Sequence, residues 1–278
     1  MARRQHIPKA LTIAGSDSGG GAGIQADLKT FAALGVYGMS AITAITAQNT
    51  LGVTRVQALP PVMVKAQIDA IMSDIGADAV KTGMLANAAI VRVVAAKIRE
   101  HRFERVVVDP VMVAASGARL LVEEAVETYK RELFPLATVV TPNVPEAEAL
   151  AGMTVRSAAD QKEAARVLKG LGPRYVIVKG GHLTGRDSVD LLFDGRKFTE
   201  FRAARIATRS NHGTGCTFAS AVAASLAHGR SIEDSVDTAK RYVTEAIRTA
   251  FPVGHGHGPL NHFHAFWQAG GGNKSDQH

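Results

Sequence analysis

Short, nearly continuous apolar segments alternate along the chain with longer segments whose apolar residues recur at helical spacing. The first kind predicts strands covered on both faces, and the second predicts helices that pack against them. Strands are predicted at residues 10–14, 38–46, 79–82, 105–109, 138–141 and 175–179, and helices at residues 24–34, 64–75, 88–100, 123–133, 158–171, 214–226 and 232–251. Strand, helix and strand in this order are typical of right-handed βαβ units, so the sequence predicts an α/β fold with a parallel sheet.

One hairpin departs from this alternation, because residues 188–193 and 198–201 are strand-like and are joined at Asp194 and Gly195. No repeat, linker or charge block interrupts the pattern, so we expect a single domain over residues 10–267 after an N-terminal extension at residues 1–9. Residues 268–278 are expected to form a disordered tail, because the end of the chain is polar and rich in glycine.

The composition is that of an ordinary globular protein, with 278 residues, of which 46% are hydrophobic and 21% charged. The single cysteine excludes an internal disulfide. No apolar segment follows the basic start of the chain and none approaches a membrane span of roughly 20 residues, so a cytoplasmic location with no membrane partner is expected. The net charge is +7, but the basic residues are scattered and only 5% of residues are aromatic, which favours anionic small molecules over nucleic acid.

A glycine-opened turn at residues 212–217 (HGTGCT) runs directly into a helix of small residues. Gly213 and Gly215 allow a ligand to approach the backbone, and the free N–H groups and dipole of the helix predict an anion site there. Cys216 lies in the first helical turn, where the dipole is expected to lower the pKa of its thiol and make it reactive. The alternative is a small buried cysteine at an ordinary helix start.

A second glycine-rich loop, at residues 15–23, contains Asp17 and also joins a strand to a helix. It is not a dinucleotide-binding loop, because the G-x-G-x-x-G spacing is absent and no acidic residue lies between Gly35 and Pro60. We interpret it as a place of close ligand approach, although a flexible turn would have the same composition.

Four residues lie at or just after the carboxyl ends of predicted strands, where ligands bind in open α/β sheets. Gln48 can both donate and accept a hydrogen bond and is therefore placed to read the edge of a heterocycle, unless it only satisfies a local turn. Met84 and Val111 are apolar enough to enclose a flat ring, although a methionine often only fills a core. Asp109 is expected at the same edge of the sheet.

Asn143 and Glu146 are three residues apart at a helix start, a spacing that suits oxygen ligands of Mg²⁺ but equally suits a capping box. Lys179 ends a buried strand beside two glycines and can hold a phosphate, with a surface lysine as the alternative. Four histidines at residues 255–264 are reminiscent of a metal site, but the glycines and proline between them disfavour one.

Seven motifs together resemble the hydroxymethylpyrimidine/phosphomethylpyrimidine kinases, which are ribokinase-like enzymes of thiamine diphosphate synthesis. They are residues 14–30 (AGSDSGGGAGIQADLKT), 46–50 (TAQNT), 81–85 (KTGML), 109–112 (DPVM), 141–146 (TPNVPE), 178–182 (VKGGH) and 212–217 (HGTGCT). The resemblance implies a three-layer αβα sandwich with a mostly parallel sheet and little or no lid. It also implies a homodimer that uses ATP and Mg²⁺ to phosphorylate 4-amino-5-hydroxymethyl-2-methylpyrimidine and then its monophosphate.

The resemblance also implies a role for each candidate residue. Because the chain has no P-loop motif, the backbone at Gly213, Thr214 and Gly215 would hold the γ-phosphoryl group, and Cys216 would take the proton of the substrate hydroxyl. The other roles are Mg²⁺ binding for Asn143 and Glu146, nucleotide binding for Asp109, Lys179 and Thr208, and pyrimidine binding for Asp17, Gln48, Met84 and Val111.

Three alternatives stay open from the sequence. One is a pyridoxal kinase of the same superfamily: related pyridoxal kinases carry an aspartate in place of Cys216, although some members with the cysteine also accept pyridoxal. Another is a pyrimidine-binding regulator that has lost turnover. The third, a cysteine hydrolase, lacks an evident partner arrangement of histidine with aspartate or asparagine.

Overall fold

The computed structural model describes residues 6–112 and 123–270. The strands are β1 (Lys9–Asp17), β2 (Tyr37–Asn49), β3 (Gly52–Ala58), β4 (Ala79–Thr82), β5 (Val106–Val108), β6 (Val139–Val140), β7 (Tyr175–Val178), β8 (Asp187–Phe193) and β9 (Phe198–Ala204). The α-helices are α1 (Gly23–Ala33), α2 (Pro61–Asp74), α3 (Ala88–Glu100), α4 (Glu123–Thr128), α5 (Val144–Ala151), α6 (Ala158–Lys169), α7 (Thr214–Ala227), α8 (Ile232–Arg248) and α9 (His264–Gly270). Within these ranges, no helix combines the length and apolar character needed to cross a membrane.

All the strands belong to one sheet with the order β3-β2-β1-β4-β5-β6-β7-β8-β9. The strands from β2 to β7 in this order pair in parallel. The edge strands β3, β8 and β9 pair antiparallel. The predicted α/β fold with a mostly parallel sheet is therefore confirmed, and so is the hairpin of β8 and β9.

Both faces of the sheet are covered by helices, as the continuous apolar strands require. In β5, Val106 and Val108 join the apolar cluster under α2, α3 and α6, whereas Val107 joins the cluster under α1, α7 and α8. Successive side chains of a strand point to opposite faces, so three valines in a row fill two separate cores. The result is the expected three-layer αβα sandwich.

Strand β3 was missed, and residues 48–50 do not follow the end of β2 as expected. Strand β2 continues to Asn49 and returns as β3, so that Gln48 pairs with Val53 within the hairpin. Most of β3 is exposed, so its sequence lacks the apolar alternation by which strands are predicted.

The ends of other elements also differ from prediction. The helix expected at residues 123–133 leaves α-geometry after Thr128, continues as a π-helical turn at Tyr129–Leu133 and ends in a 3₁₀ turn that contains Pro135. Proline cannot donate a backbone hydrogen bond, which explains the end of the helix. Helix α9 was not predicted and includes residues 268–270 of the expected tail, whereas residues 271–278 lie outside the described residues.

Candidate active site

The carboxyl ends of β1, β4, β5 and β7 and the N-terminus of α7 open into one cavity of about 1160 Å³. The cavity is lined by every residue for which the sequence predicted a site role, namely Asp17, Gln48, Met84, Asp109, Val111, Asn143, Glu146, Lys179, Thr208, Gly213, Thr214, Gly215 and Cys216. The structure therefore brings these residues together from seven segments of the chain. The role of each one there stays a prediction.

The N-terminus of α7 has free backbone donors. Gly213 forms the N-cap in the left-handed region, with φ 83°, and no side chain caps the helix. A Cβ atom at Gly213 would lie 1.9 Å from the carbonyl oxygen of Gly21, so only glycine fits. In the part of the chain that the structure describes, the N–H groups of Gly215 and Cys216 have no hydrogen-bond acceptor. Such a helix start is suited to bind an anion.

Asp17 organises the glycine-rich loop. Its carboxylate accepts hydrogen bonds from the N–H groups of Gly19, Gly21 and Ala22 at 2.8, 3.1 and 2.9 Å. It also lies 2.9 Å from Nε2 of His212. Burial opposes its ionisation, but the hydrogen bonds from His212, Ala22 and Gly19 hold the pKa of Asp17 below its ordinary value. Asp17 is thus an ionised support for the loop.

His212 was not predicted as a site residue, although it opens the anion motif. Its ring is buried, lines the cavity and lies between Asp17 and Gln48, whose side-chain nitrogen is 3.3 Å from His212 Nε2. The carboxylate of Asp17 can only accept, so Nε2 of His212 carries a proton. The position of His212 at the head of the HGTGCT motif was the available signal for this role.

Met84 is buried and, among the described residues, belongs to neither of the two large apolar clusters. Its backbone oxygen accepts a 2.6 Å hydrogen bond from Thr43 Oγ1, which fixes the segment after β4. The buried Met84 and the half-buried Val111 line the cavity with Gln48, so apolar and polar groups suited to a flat heterocycle occur together.

A charged cluster lies where β5, β6 and β7 end. Lys179 Nζ is 3.0 Å from Asp109 Oδ1, which also accepts from Thr141 Oγ1 at 3.1 Å. Burial raises the pKa of Glu146 to about 7; the charge of Lys179 opposes this shift and that of Asp109 adds to it. A buried carboxylate such as that of Glu146 is a suitable oxygen ligand for a cation.

The capping box at α5 is present, as the alternative interpretation expected. The Asn143 N–H donates to Glu146 Oε2 at 2.8 Å, and the Glu146 N–H donates to Asn143 Oδ1 at 2.9 Å. The capping box of Ser157 and Asp160 at α6 is exposed, and there hydrogen bonds from Arg156 and Ser157 lower the pKa of Asp160. Capping alone therefore does not require the burial and raised pKa of Glu146.

The expected low pKa of the Cys216 thiol is wrong in direction. Burial raises the pKa of Cys216 to about 11, although the charge of Lys81 and the N–H of Gly23 lower it. Asp27 and Asp109 add to the rise because they disfavour a second negative charge nearby. The dipole argument failed because it left out the desolvation of the thiol, which no sequence pattern shows.

Thr208 and the clustered histidines were also singled out in the sequence, and their surroundings say little about a role in the site. Thr208 is exposed at the cavity, and its Oγ1 accepts from the N–H of Ser210 at 3.0 Å. Among the clustered histidines, the buried His262 has its Nε2 2.9 Å from Thr217 Oγ1, and His257 Nδ1 lies 3.1 Å from Asn211 Oδ1. These histidines connect the end of the chain to the N-terminal part of α7.

Comparisons with known proteins agree on one protein family. A family model described as phosphomethylpyrimidine kinase matches residues 17–261. A hydroxymethylpyrimidine/phosphomethylpyrimidine kinase of Bacillus subtilis is 55% identical over 258 residues, which cover 92% of this chain and 95% of that protein. The thiamine biosynthesis bifunctional protein ThiED of Geobacter sulfurreducens is 55% identical over 94% of this chain, which spans 54% of the length of that longer relative.

The fold has a close structural counterpart. The ADP complex of Bacillus subtilis pyridoxal kinase superimposes with a TM-score of 0.88 at 41% identity, and the match covers 94% of this chain and 99% of the other. The ADP in that complex supports the use of an adenine nucleotide by this fold.

Proposed function

The chain belongs to the phosphomethylpyrimidine kinase family and has a ribokinase-like fold, and on that premise we propose that it transfers the γ-phosphoryl group of ATP to 4-amino-5-hydroxymethyl-2-methylpyrimidine and then to the monophosphate. The observation that carries the proposal is the uncapped N-terminus of α7 beside Cys216 in the main cavity. Phosphoryl transfer needs alignment and charge neutralisation more than covalent chemistry, and this arrangement supplies both.

The acceptor step depends on the residues at the start of α7. The N–H groups of Gly215 and Cys216 bind the oxygens of the γ-phosphoryl group. As the substrate hydroxymethyl oxygen forms a bond to phosphorus and the bond to ADP breaks, the hydroxyl proton moves to Sγ of Cys216. Lys179 and Thr208 line the same cavity, and we assign them to the nucleotide, where Lys179 neutralises phosphate charge.

The pyrimidine is held by the opposite side of the cavity. Met84 and Val111 contact the faces of the ring, and Gln48 exchanges hydrogen bonds with its edge. Asp17 supports this pocket through His212, which lies next to Gln48. His212 is thus in contact with both the pyrimidine pocket and the glycine-rich loop, and it directly precedes Gly213 at the anion site.

Replacement of Gln48 by leucine is expected to raise KM for the pyrimidine about 5- to 150-fold, because one hydrogen-bonding group in a closed site is worth on the order of 1–3 kcal/mol. The KM for ATP should stay unchanged. Steady-state kinetics with each substrate varied in turn measures both values. Gln57→Leu, in the exposed edge strand β3, is the matched control. If Gln48→Leu raises the KM for ATP and leaves the KM for the pyrimidine unchanged, Gln48 binds the nucleotide and not the pyrimidine.

We also propose that Glu146 holds Mg²⁺ in this cluster, with the amide oxygen of Asn143 as its neighbour. The donor set fits, because a buried carboxylate with a raised pKa stands near Asp109, which is paired with Lys179. When bound, the ion would neutralise the phosphate charge. Asn143 Oδ1 already accepts from the Glu146 N–H and keeps one further lone pair.

Glu146→Gln is expected to raise the Mg²⁺ concentration needed for half-maximal activity about tenfold, because the amide keeps the cap-like hydrogen bonding but loses the charge. In the wild type this requirement should rise as pH falls through about 7, because the carboxyl group becomes protonated there. In Glu146→Gln that pH dependence should be lost. Mg²⁺ titrations at several pH values measure both effects, with Asp160→Asn at the exposed cap as the control. Curves for Glu146→Gln that overlay the wild type contradict a metal role.

Substrate identity is tested by ADP release with the pyrimidine, its monophosphate and pyridoxal, each with ATP and Mg²⁺. We expect turnover of the first two. A higher kcat/KM for pyridoxal would favour the pyridoxal kinase alternative, and binding of the pyrimidine without ADP release would favour the regulator.

We propose a homodimer in the cytoplasm as the working form of the enzyme. The outer strands β2 and β3 and the start of α2 expose several large apolar side chains, namely Ile45, Leu51, Val56, Val62 and Met63. A second copy would remove this surface from water.

A further inference from the structure

A fully buried ion pair lies beside the cavity and has no role in the mechanism above. Lys81, on β4, places its Nζ 2.9 and 3.0 Å from the two carboxylate oxygens of Asp27, on α1. Both side chains have 0% exposure. Replacement of a buried ion pair by apolar residues of similar volume is often neutral or stabilising, so stability alone is a weak reason for this pair.

The position of Asp27 is fixed from two further elements. Thr12 Oγ1, on β1, and Ser220 Oγ, on α7, each donate to its carboxylate at 2.6 Å. Ser220 lies four residues after Cys216, on the same face of α7. The carboxylate therefore holds Lys81 in a fixed relation to the helix that carries Cys216.

The ion pair with Asp27 does not take up the full hydrogen-bonding capacity of the Lys81 ammonium group. It has three N–H donors, and Asp27 is its acceptor among the described residues. A Cβ atom at Gly83 would lie 2.8 Å from Lys81 Nζ, so the ammonium sits directly beside the strand end that leads to the pyrimidine pocket. Lys81 and Cys216 line the same cavity.

Four charged groups act on the Cys216 thiol, from the elements packed around it. They are Lys81 on β4, Asp27 on α1, Asp109 after β5 and Lys179 after β7. After burial, which raises the pKa of Cys216, the charge of Lys81 has the largest influence and lowers it. Burial disfavours the charge of Lys81, but Asp27, Cys216 and Asp109 raise its pKa above the ordinary value, so it stays an ammonium.

We propose that Lys81, held in place by Asp27, is a positioning residue that keeps a positive charge beside Cys216 and thereby stabilises its thiolate. The inference rests on the proposed role of Cys216 as the base. In the transfer step the proton moves from the substrate oxygen to Sγ, and Lys81 keeps all its protons. The charge of Lys81 thus acts on the thiol more strongly than the opposing charge of Asp27.

Alkylation of the chain's single cysteine by iodoacetamide, measured from pH 7 to 11, tests the proposal on the intact protein. Below the thiol pKa the rate follows the thiolate fraction, so Lys81→Met should slow alkylation at pH 8 at least tenfold. A purely structural role predicts faster alkylation of Lys81→Met instead, because a loosened site exposes the thiol to solvent.

The matched control is Lys97→Met. Lys97 is nearly buried and pairs with Asp69 and Glu100 at 2.6 and 2.7 Å, but it lies on α3, in the other helical layer. We expect its alkylation profile to overlay the wild type. If Lys81→Met does not fold, the double variant Lys81→Met/Asp27→Leu replaces the pair by apolar groups and should also be alkylated more slowly.

Unchanged or faster alkylation in a folded Lys81 variant overturns the proposal. The result is separable from the role of Cys216 itself, which is tested by the kcat of Cys216→Ala. If Lys81→Met is alkylated slowly but Cys216→Ala has a normal kcat, the charge of Lys81 does stabilise the thiolate. In that case Cys216 is not the catalytic base, and only the proposed function of the thiol fails.

Discussion

Cys216→Ala is expected to lower kcat for the hydroxymethyl substrate by about 10²- to 10⁴-fold, the usual range for a positioned general base. ATP binding, measured directly, should stay close to the wild type, because the N–H groups at the start of α7 belong to the backbone. The thiol, whose pKa is raised to about 11, is mainly protonated at neutral pH. Only a small thiolate fraction can accept a proton, and this limits the rate that the base can support.

The second phosphorylation provides an internal control for this variant. Its acceptor is a phosphate oxygen, which has a second pKa near 6 and is already ionised at neutral pH. The second step therefore needs no base, and Cys216→Ala should lower its kcat far less than that of the first. Cys216→Asp should recover part of the first step, because a carboxylate can also take the proton. Equal losses in both steps would assign the thiol to packing or phosphate positioning.

Gly213→Ala is expected to lower kcat about 10²- to 10³-fold for both acceptors, the range found when one donor of an oxyanion hole is removed. A Cβ atom there would lie 1.9 Å from the carbonyl oxygen of Gly21, so the start of α7 must move away from the glycine-rich loop. Rapid-mixing kinetics with each acceptor at saturating ATP measures the effect.

Gly229→Ala is the control for backbone strain in that experiment. Gly229 follows the same helix, has φ 79° and has no atom within 4 Å of the added Cβ. It should cost some stability but keep kcat, whereas Gly213→Ala should lose kcat even where thermal melting shows it folded. A folded Gly213→Ala with nearly normal kcat would show that the start of α7 does not bind the transferred group.

The residues that line the cavity could be predicted from the sequence, because the lining depends on where strands end and where glycines occur. The ends of β4, β5 and β7 were each visible as an apolar segment followed by a polar or glycine-containing one. Once a parallel sheet was inferred, the common edge of these ends followed from topology.

The features that the sequence did not predict depend on burial or on distant partners. Strand β3 pairs through its backbone and is exposed, so it has no apolar pattern. The pKa of Cys216 depends on desolvation by several elements. The bond between His212 and Asp17 joins residues 195 positions apart, a pairing that local patterns cannot reveal.

These distant pairings determine when during synthesis the enzyme can become active. The glycine-rich loop and α1 are translated early, but their contacts at His212, Gly213 and Ser220 come roughly 190 residues later. At about 5–20 residues per second the ribosome needs on the order of 10–40 s to produce them, and contacts so far apart form slowly. A nascent chain that ends before α7 would hold the loop without its partners, and phosphoryl transfer would begin only when the final third of the chain docks on the first.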